Sequence, residues 1–117
     1  MKIHLFDKDQ HSELFGAGQI VFRKGDPGDL MYAVIEGTVD IIIHDQKVET
    51  VEAGGVFGEM ALVEERPRIA NAIVKTDAKL VPIDRKRLLF LVQQNPYFAL
   101  QLMAVMAERL RHMDEKL

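Results

Sequence analysis

Turn-forming residues recur about every 8 to 12 residues through the first three-quarters of this chain, and that spacing limits the folds open to it. Short apolar runs such as IVF, LMYAVI and TVDIII lie between them. The predicted turns are at residues 25–28, 36–37, 45–46 and 76–77. Short runs separated by regular turns predict an antiparallel barrel, roll or sandwich rather than a parallel sheet.

The character of the sequence changes at Asp84. Residues 85–94 have helix-forming composition, with Asp84 as the N-cap. Asn95 is the predicted N-cap of a second helix, with Pro96 at its first position, and no glycine or proline interrupts that helix before residue 117. At 117 residues the chain is predicted to be one domain spanning 1–117.

The second helix carries apolar residues on more than one face. A heptad-like seam with spacings of 4, 3, 4, 3 and 4 consists of Ala99, Met103, Met106, Leu110, Met113 and Leu117. An adjacent stripe is formed by Phe98, Leu102 and Val105. This surface is enough for the sheet and one further neighbour, so a homodimer through the C-terminal helix is predicted; alternatively, a wide-faced helix folds onto its own domain.

Composition excludes several classes of function. The chain has no cysteine, which excludes disulfides, thiolate metal sites and cysteine nucleophiles. Its histidines are scattered singly, so neither a metal site nor catalysis is predicted. A net charge of −3 without a clustered basic face argues against nucleic acid as a partner. No signal peptide or membrane span is predicted, and a cytoplasmic location is expected.

The stretch GGVFGEMALVEERPRIA, residues 54–70, carries the most chemistry. It predicts a strand end leading into a short helix, whose first N–H groups favour an anion. Glu59 in the first turn either accepts hydrogen bonds from a sugar hydroxyl or only complements the helix dipole. Arg68, at the entrance to an apolar strand, either binds phosphate oxygens or pairs with Glu64 or Glu65.

This stretch, with the following residues NAIV, closely resembles the phosphate-binding cassette of cyclic nucleotide-binding domains. That family includes the catabolite activator, the regulatory subunit of protein kinase A and cyclic nucleotide-gated channels. The segment GAGQIVFRKGDPGDLMYAVIEGTVDI is similar to the family's early strands. The resemblance implies a mainly β fold: an antiparallel, jelly-roll type β-roll over about 15–84, a short cassette helix, and closing helices over about 85–94 and 96–117.

The resemblance also implies the ligand, a cyclic nucleotide, and its contacts, with no other cofactor. Gly58 and Glu59 would hold the ribose 2′-hydroxyl, and Arg68 the cyclic phosphate. Backbone N–H groups of Ala61 and Ala70 would add phosphate contacts. Met60 would contribute to the apolar wall. Where many members have Ser, Thr or Ala after the arginine, this chain has Ile69. The absence of a hydroxyl there favours cAMP over cGMP.

The last helix would close over the base, with Leu110 and Met113 reaching it. Met113 and Asp114 stand where the catabolite activator has a threonine and a serine that contact adenine, so base recognition differs here. The predicted function is a non-enzymatic cyclic nucleotide sensor, either free-standing or part of a longer protein. The alternative is a degenerate roll that serves as a dimerisation or protein-interaction module without nucleotide.

Overall fold

The computed structural model describes residues 2–116, apart from the side chains of Met113 and Lys116. Six strands come first in the chain, interrupted by one short helix, and two helices follow. The strands are β1 Glu13–Phe15, β2 Ile20–Phe22, β3 Leu30–Ile43, β4 Gln46–Val51, β5 Val56–Phe57 and β6 Asn71–Asp84. The helices are α1 Glu59–Glu64, α2 Arg85–Gln94 and α3 Pro96–Lys116. The predicted mainly β roll with C-terminal helices is confirmed.

Two long antiparallel strands, β3 and β6, form the centre of the sheet. β4 and β5 pair with β3, while β1 and β2 pair with β6. The predicted turns at residues 36–37 and 76–77 are wrong, because each lies inside one continuous strand of 14 residues. The register is irregular there, since Glu36 pairs with Lys79 and Thr38 with Thr76. Turn-forming residues at these places therefore bend two paired strands instead of ending them.

Gly37 shows why this bend carries a glycine. Its φ is +83°, and a Cβ at this position would collide with the backbone of Asp77 and Ala78 on the facing strand. Beside it, the Thr38 and Thr76 hydroxyl oxygens lie 3.0 Å apart. The hairpin turn that follows is displaced by one residue from its prediction: His44 and Asp45 have positive φ, and β4 already begins at Gln46. Two positive φ angles are typical of the tight turns that join antiparallel strands.

Side chains alternate between two apolar clusters along the central strands. Tyr32 and Val34 pack inside the roll, whereas Met31 and Ala33 pack against the helices. The helix-facing cluster is completed by Phe98, Leu102 and Val105 of α3, together with Ile3 and Phe6 from the N-terminal segment. Burial of this stripe fixes α3 across one face of the roll and brings its later turns towards β4 and α1.

Both C-terminal helices begin where the sequence predicts. The Asp84 side chain accepts a hydrogen bond from the Arg87 N–H at 2.8 Å, as an N-cap does. Asn95 is placed to do the same for Phe98. No helix in the described part of the chain is both long and apolar enough to cross a membrane.

The apolar seam of α3 differs from the one predicted. Met106 packs against the domain's own core, and Ala99 is half-buried. The exposed apolar residues of α3 are Tyr97, Leu100, Met103, Ala107 and Leu110. Met113 (side chain) and Leu117 lie outside the described residues. The exposed apolar stripe of α3 is therefore rotated relative to the predicted seam, because the domain's own core covers one side of that seam.

Candidate functional site

The predicted cassette begins with a left-handed residue at the junction of β5 and α1. Gly58 has a φ of +79° and precedes the first helical residue, Glu59. A Cβ on Gly58 would lie 2.8 Å from Nη1 of Arg68 and 3.3 Å from the Phe22 ring. Glycine is therefore needed both for the backbone conformation and for the close approach of the arginine. The Arg68 Nη1 group donates a hydrogen bond to the Gly58 carbonyl at 2.7 Å.

The backbone of Arg68 is held by the turn that follows β2. Its N–H donates to the Asp26 carbonyl, and its own carbonyl accepts from the Gly25 N–H, both at 2.9 Å. The predicted turn over residues 25–28 thus has a further role, since it pairs with Arg68, three residues before β6. Arg68 is directed inward as a result, and only 5% of its surface is exposed.

The guanidinium of Arg68 lies in an apolar environment without a carboxylate partner. Its Nη2 group donates to the Leu30 carbonyl, and its carbon lies 4.0 Å from the centre of the Phe22 ring. Among the described residues, neither Glu64 nor Glu65 forms an ion pair with it, and Glu65 instead lies 3.6 Å from Arg85. Burial lowers the pKa of Arg68. Its Nε–H is buried without any hydrogen-bond partner in the described part of the chain.

Glu59, the second predicted binding residue, is 1% exposed. Burial raises the pKa of Glu59, and the nearby Arg109 opposes that change. Nη1 of Arg109 donates directly to Glu59 Oε1. A buried carboxylate of this kind can accept further hydrogen bonds, since each ionised carboxylate has about four acceptor positions.

Arg109 is a site residue that the sequence analysis missed. It continues the buried stripe of α3 one turn beyond Val105, so its guanidinium is directed towards the roll. It also binds both oxygens of Glu49 on β4, with Nε–Oε1 and Nη2–Oε2 distances of 2.6 and 2.8 Å. The available signal was its spacing of four residues from Val105, which places a charged residue on an otherwise apolar face.

These residues surround one small cavity. It is lined by all the residues predicted to bind ligand, namely Gly58, Glu59, Met60, Ala61, Arg68, Ile69 and Ala70, together with Phe22, Ile41, Phe57 and Arg109. Its volume is about 50 Å³. The structure therefore brings the predicted cassette residues together around a space smaller than a nucleotide, since ligand pockets have volumes of about 300 to 1,000 Å³.

Of the two predicted base-capping residues, only Leu110 has a described side chain, and it does not line this cavity. Leu110 is 51% exposed on the outer side of α3, and it is not among the lining residues. The side chain of Met113 lies outside the described residues. Ile69 lines the cavity but keeps 56% of its surface exposed, so it forms an apolar edge of the opening.

The charged groups around the cavity are unevenly paired. Glu49, Glu59 and Arg109 form a connected cluster with a formal charge of −1, whereas the hydrogen-bond acceptors of Arg68 among the described residues are two backbone carbonyls. Among the described residues, no group of three or more histidines, cysteines or carboxylates is placed to hold a metal ion. The site can therefore accept an anion at Arg68 and a hydroxyl donor at Glu59.

Comparison with known proteins gives consistent matches. A family model described as the cyclic nucleotide-binding domain matches residues 12–95. The cAMP-dependent protein kinase regulatory subunit of Eremothecium gossypii is 44% identical over 73 residues, which are 62% of this chain and 16% of that protein.

Solved structures share the fold. The catabolite activator protein of Thermus thermophilus has a TM-score of 0.80 and 32% identity, covering 90% of this chain and 52% of that one. A cAMP-bound structure of PfPKA-R has a TM-score of 0.78 and 25% identity, covering 89% of this chain and 36% of that one. The chain thus spans about half or less of the length of these relatives.

Proposed function

We propose that this chain, which belongs to the cyclic nucleotide-binding domain family, is a sensor domain that binds a cyclic mononucleotide, with cAMP preferred. Arg68 would hold the cyclic phosphate, and Glu59 would accept a hydrogen bond from the ribose 2′-hydroxyl. Its role is non-enzymatic, as the regulatory nature of its relatives supports.

The observation that carries the proposal is the buried guanidinium of Arg68. Within the described residues, Arg68 has no direct ion pair and its Nε–H has no hydrogen-bond partner, and both are unfavourable for a buried cation. A phosphate would supply both the opposite charge and the missing acceptor, through short charge-assisted hydrogen bonds. A roll that served only as a scaffold would not need a buried cation with an unused hydrogen-bond donor.

Glu59 fits the other end of the same ligand. A carboxylate would repel phosphate but attract a hydroxyl donor. The predicted roles therefore require Glu59 and Arg68 to contact different parts of the ligand. The interaction of Arg109 with Oε1 leaves Glu59 with acceptor capacity for a ribose hydroxyl. The cation at one end and the acceptor at the other match a molecule with one anionic phosphate and one free ribose hydroxyl.

The small cavity supports a conformational response to binding. A volume of about 50 Å³ is too small for a nucleotide, so the cavity would have to widen before the ligand enters. The ligand would favour the wider state only by its greater affinity for it. Leu110 would reach the base only if α3 shifted or rotated, and Met113 is the second candidate for that contact.

Two observations support cAMP over cGMP. Ile69 has no hydroxyl to offer next to Arg68. The PfPKA-R structure, which shares the fold, has cAMP bound, and the Eremothecium relative is cAMP-dependent by name.

The exposed apolar stripe of α3 supports a homodimer through this helix. Leu100, Met103, Ala107 and Leu110 are all exposed, and their spacings of 3, 4 and 3 are those of paired helices. The dimer seam would therefore lie one residue from Arg109. If the domain instead has no nucleotide ligand, this stripe is the surface on which it would act as an interaction module.

Titration calorimetry with cAMP and cGMP tests the proposal, using wild-type protein, Arg68→Ala and the exposed control Arg66→Ala. We expect wild type and Arg66→Ala to bind cAMP alike, and Arg68→Ala to lose roughly 2 to 5 kcal/mol of binding free energy. If the folded wild-type protein gives no heat and no thermal shift with either nucleotide, the proposal fails, and the cassette is a relic or serves another anion.

A further inference from the structure

Arg109 connects three separate parts of the chain. From α3, its guanidinium contacts Glu59 at the start of α1, the Val56 carbonyl of β5 at 2.8 Å, and Glu49 on β4. Glu49 receives two parallel hydrogen bonds, from Nε and Nη2, whereas Glu59 receives one, from Nη1. Two parallel bonds to a carboxylate fix the plane of a guanidinium as well as its position. Glu49 thus sets the orientation that Arg109 presents to Glu59.

Arg109 lies at the point along α3 where the apolar contacts with the roll end. The apolar packing of α3 extends to Val105 and the partly buried Met106. Leu110, only four residues after Met106, is half exposed. The side chain of Arg109 is 10% exposed, so its ion pairs are largely removed from water. Beyond the apolar contact, these hydrogen bonds hold the last turns of α3 to the roll.

Ligand binding would affect the hydrogen bonds of Glu49 and Glu59 differently. Under the proposed function, Glu59 would turn part of its acceptor capacity to the ribose. Glu49 lies on the opposite side of Arg109, in a separate cleft between β4 and α3, and does not line the cassette cavity. Its two hydrogen bonds to Arg109 would therefore remain in place when Glu59 is engaged.

We infer that Glu49 is a positioning residue that keeps α3 docked on β4 without ligand and, through Arg109, orients Glu59 for the ribose hydroxyl. The docking role depends only on the contacts of Glu49 and Arg109. The orienting role rests on the proposed function. The two roles are separable, because docking is measurable in the absence of any nucleotide.

Amide hydrogen exchange over residues 107–116 of the ligand-free protein tests the docking role. Glu49→Gln keeps the size of the side chain but removes its charge, and we expect exchange there to increase about tenfold, as for the loss of a charge-assisted pair. Glu52→Gln, an exposed glutamate just beyond β4, is the matched control and should change nothing. Arg109→Lys keeps the charge but cannot form the two parallel bonds, so it should resemble Glu49→Gln. Unchanged exchange in both Glu49→Gln and Arg109→Lys would overturn the inference.

Affinities for cAMP and 2′-deoxy-cAMP test the orienting role. Wild type should prefer cAMP, and Glu49→Gln should reduce that preference about threefold or more while Glu52→Gln keeps it. An undiminished preference in Glu49→Gln would overturn the orienting role. If wild type binds neither nucleotide while Glu49→Gln still opens α3, the proposed function fails and the docking role stands.

Discussion

Arg68 and Arg109, two buried arginines of this domain, have different kinds of interaction partner. Arg109 lies between two carboxylates and forms hydrogen bonds to three different elements. Arg68 is similarly buried, yet its partners are two backbone carbonyls and the face of Phe22, and its Nε–H has no partner in the described chain. Arg109 forms direct ion pairs with two carboxylates, whereas within the described residues Asp26, Asp29 and Glu59 act on Arg68 from a distance, without a direct ion pair.

This difference separates stability from binding. A charge pair that is complete within the protein contributes to holding its elements together, and removal of one member leaves the others buried and unpaired. A buried cation with unused hydrogen-bonding capacity contributes little to the stability of the fold, but it can contribute strongly to the binding of an anion. Arg109 should therefore be mainly a structural residue, and Arg68 mainly a binding residue.

Arg109→Met should have the largest effect on stability. It leaves Glu49 and the buried Glu59 without their cation, so we expect the free energy of unfolding to fall by about 3 to 5 kcal/mol. Chemical denaturation measures this loss. The control is Arg111→Met, an exposed arginine two residues along α3, which should change stability by about 0.5 kcal/mol or less. Equal effects of the two variants would remove the distinction between the arginines.

Arg68→Met should have a much smaller effect on the ligand-free protein. The substitution removes a desolvated charge and an unsatisfied Nε–H, which offsets the loss of two hydrogen bonds to carbonyls. We therefore expect a net change of about 1 kcal/mol or less in the free energy of unfolding. Addition of cAMP should then stabilise wild type but not this variant, as thermal unfolding with and without nucleotide would show. A ligand-free loss as large as that of Arg109→Met would make Arg68 a structural residue too.

The pH dependence of stability should report the burial of Glu59. Because burial raises its pKa, the folded state binds the proton more tightly than the unfolded state, where the pKa is about 4.3. The contribution of Glu59 to stability is thus fully present below that pH and is lost as the pH rises through the folded-state value. The stability of wild type relative to Glu59→Gln should therefore decrease with rising pH.

Denaturation of both proteins at a series of pH values from 4 to 8 measures this change, and Glu52→Gln provides an exposed glutamate control. A relative stability that rises with pH would mean that Arg109 outweighs burial at Glu59.

The smallest predicted effect concerns ligand choice. Ile69→Thr places a hydroxyl beside Arg68, at an edge of the cavity that is already exposed. One additional hydrogen bond contributes about 0.5 to 1.5 kcal/mol, so the ratio of cGMP to cAMP affinity should rise by up to about tenfold. Calorimetry with both nucleotides gives the ratio, with Ile69→Val as the control that lacks a hydroxyl. An equal ratio in both variants would remove Ile69 as a selectivity residue.

The fold and the cassette were largely predictable because local signals define them. Turn residues, the N-caps at Asp84 and Asn95, and the change of composition after residue 84 all act over a few residues. Long strands were harder to predict, since Gly37 and Thr76 have the composition of turns. Only their pairing across β3 and β6 shows that both bend within a continuous ladder.

The Arg109 cluster could not be predicted in the same way. Glu49, Glu59 and Arg109 are separated by 10 and 50 residues, and nothing local joins them. Their contact depends on how α3 crosses the roll, which the buried stripe of Phe98, Leu102 and Val105 determines. The stripe was visible in the sequence. The role of Arg109, which continues it, can be recognised only from the structure, where β4 brings Glu49 next to it.

The most direct test of an anion site at Arg68 is nuclear magnetic resonance of the arginine Nε–H groups in ¹⁵N-labelled protein during titration with cAMP. The unpaired Arg68 Nε–H should shift strongly and exchange more slowly with solvent as it gains a phosphate partner, whereas the Arg109 signal, already paired with Glu49, should move less. Adenosine, which lacks the phosphate, should leave Arg68 unchanged. An Arg68 signal that does not respond at saturating cAMP would contradict the proposal that this arginine binds the phosphate.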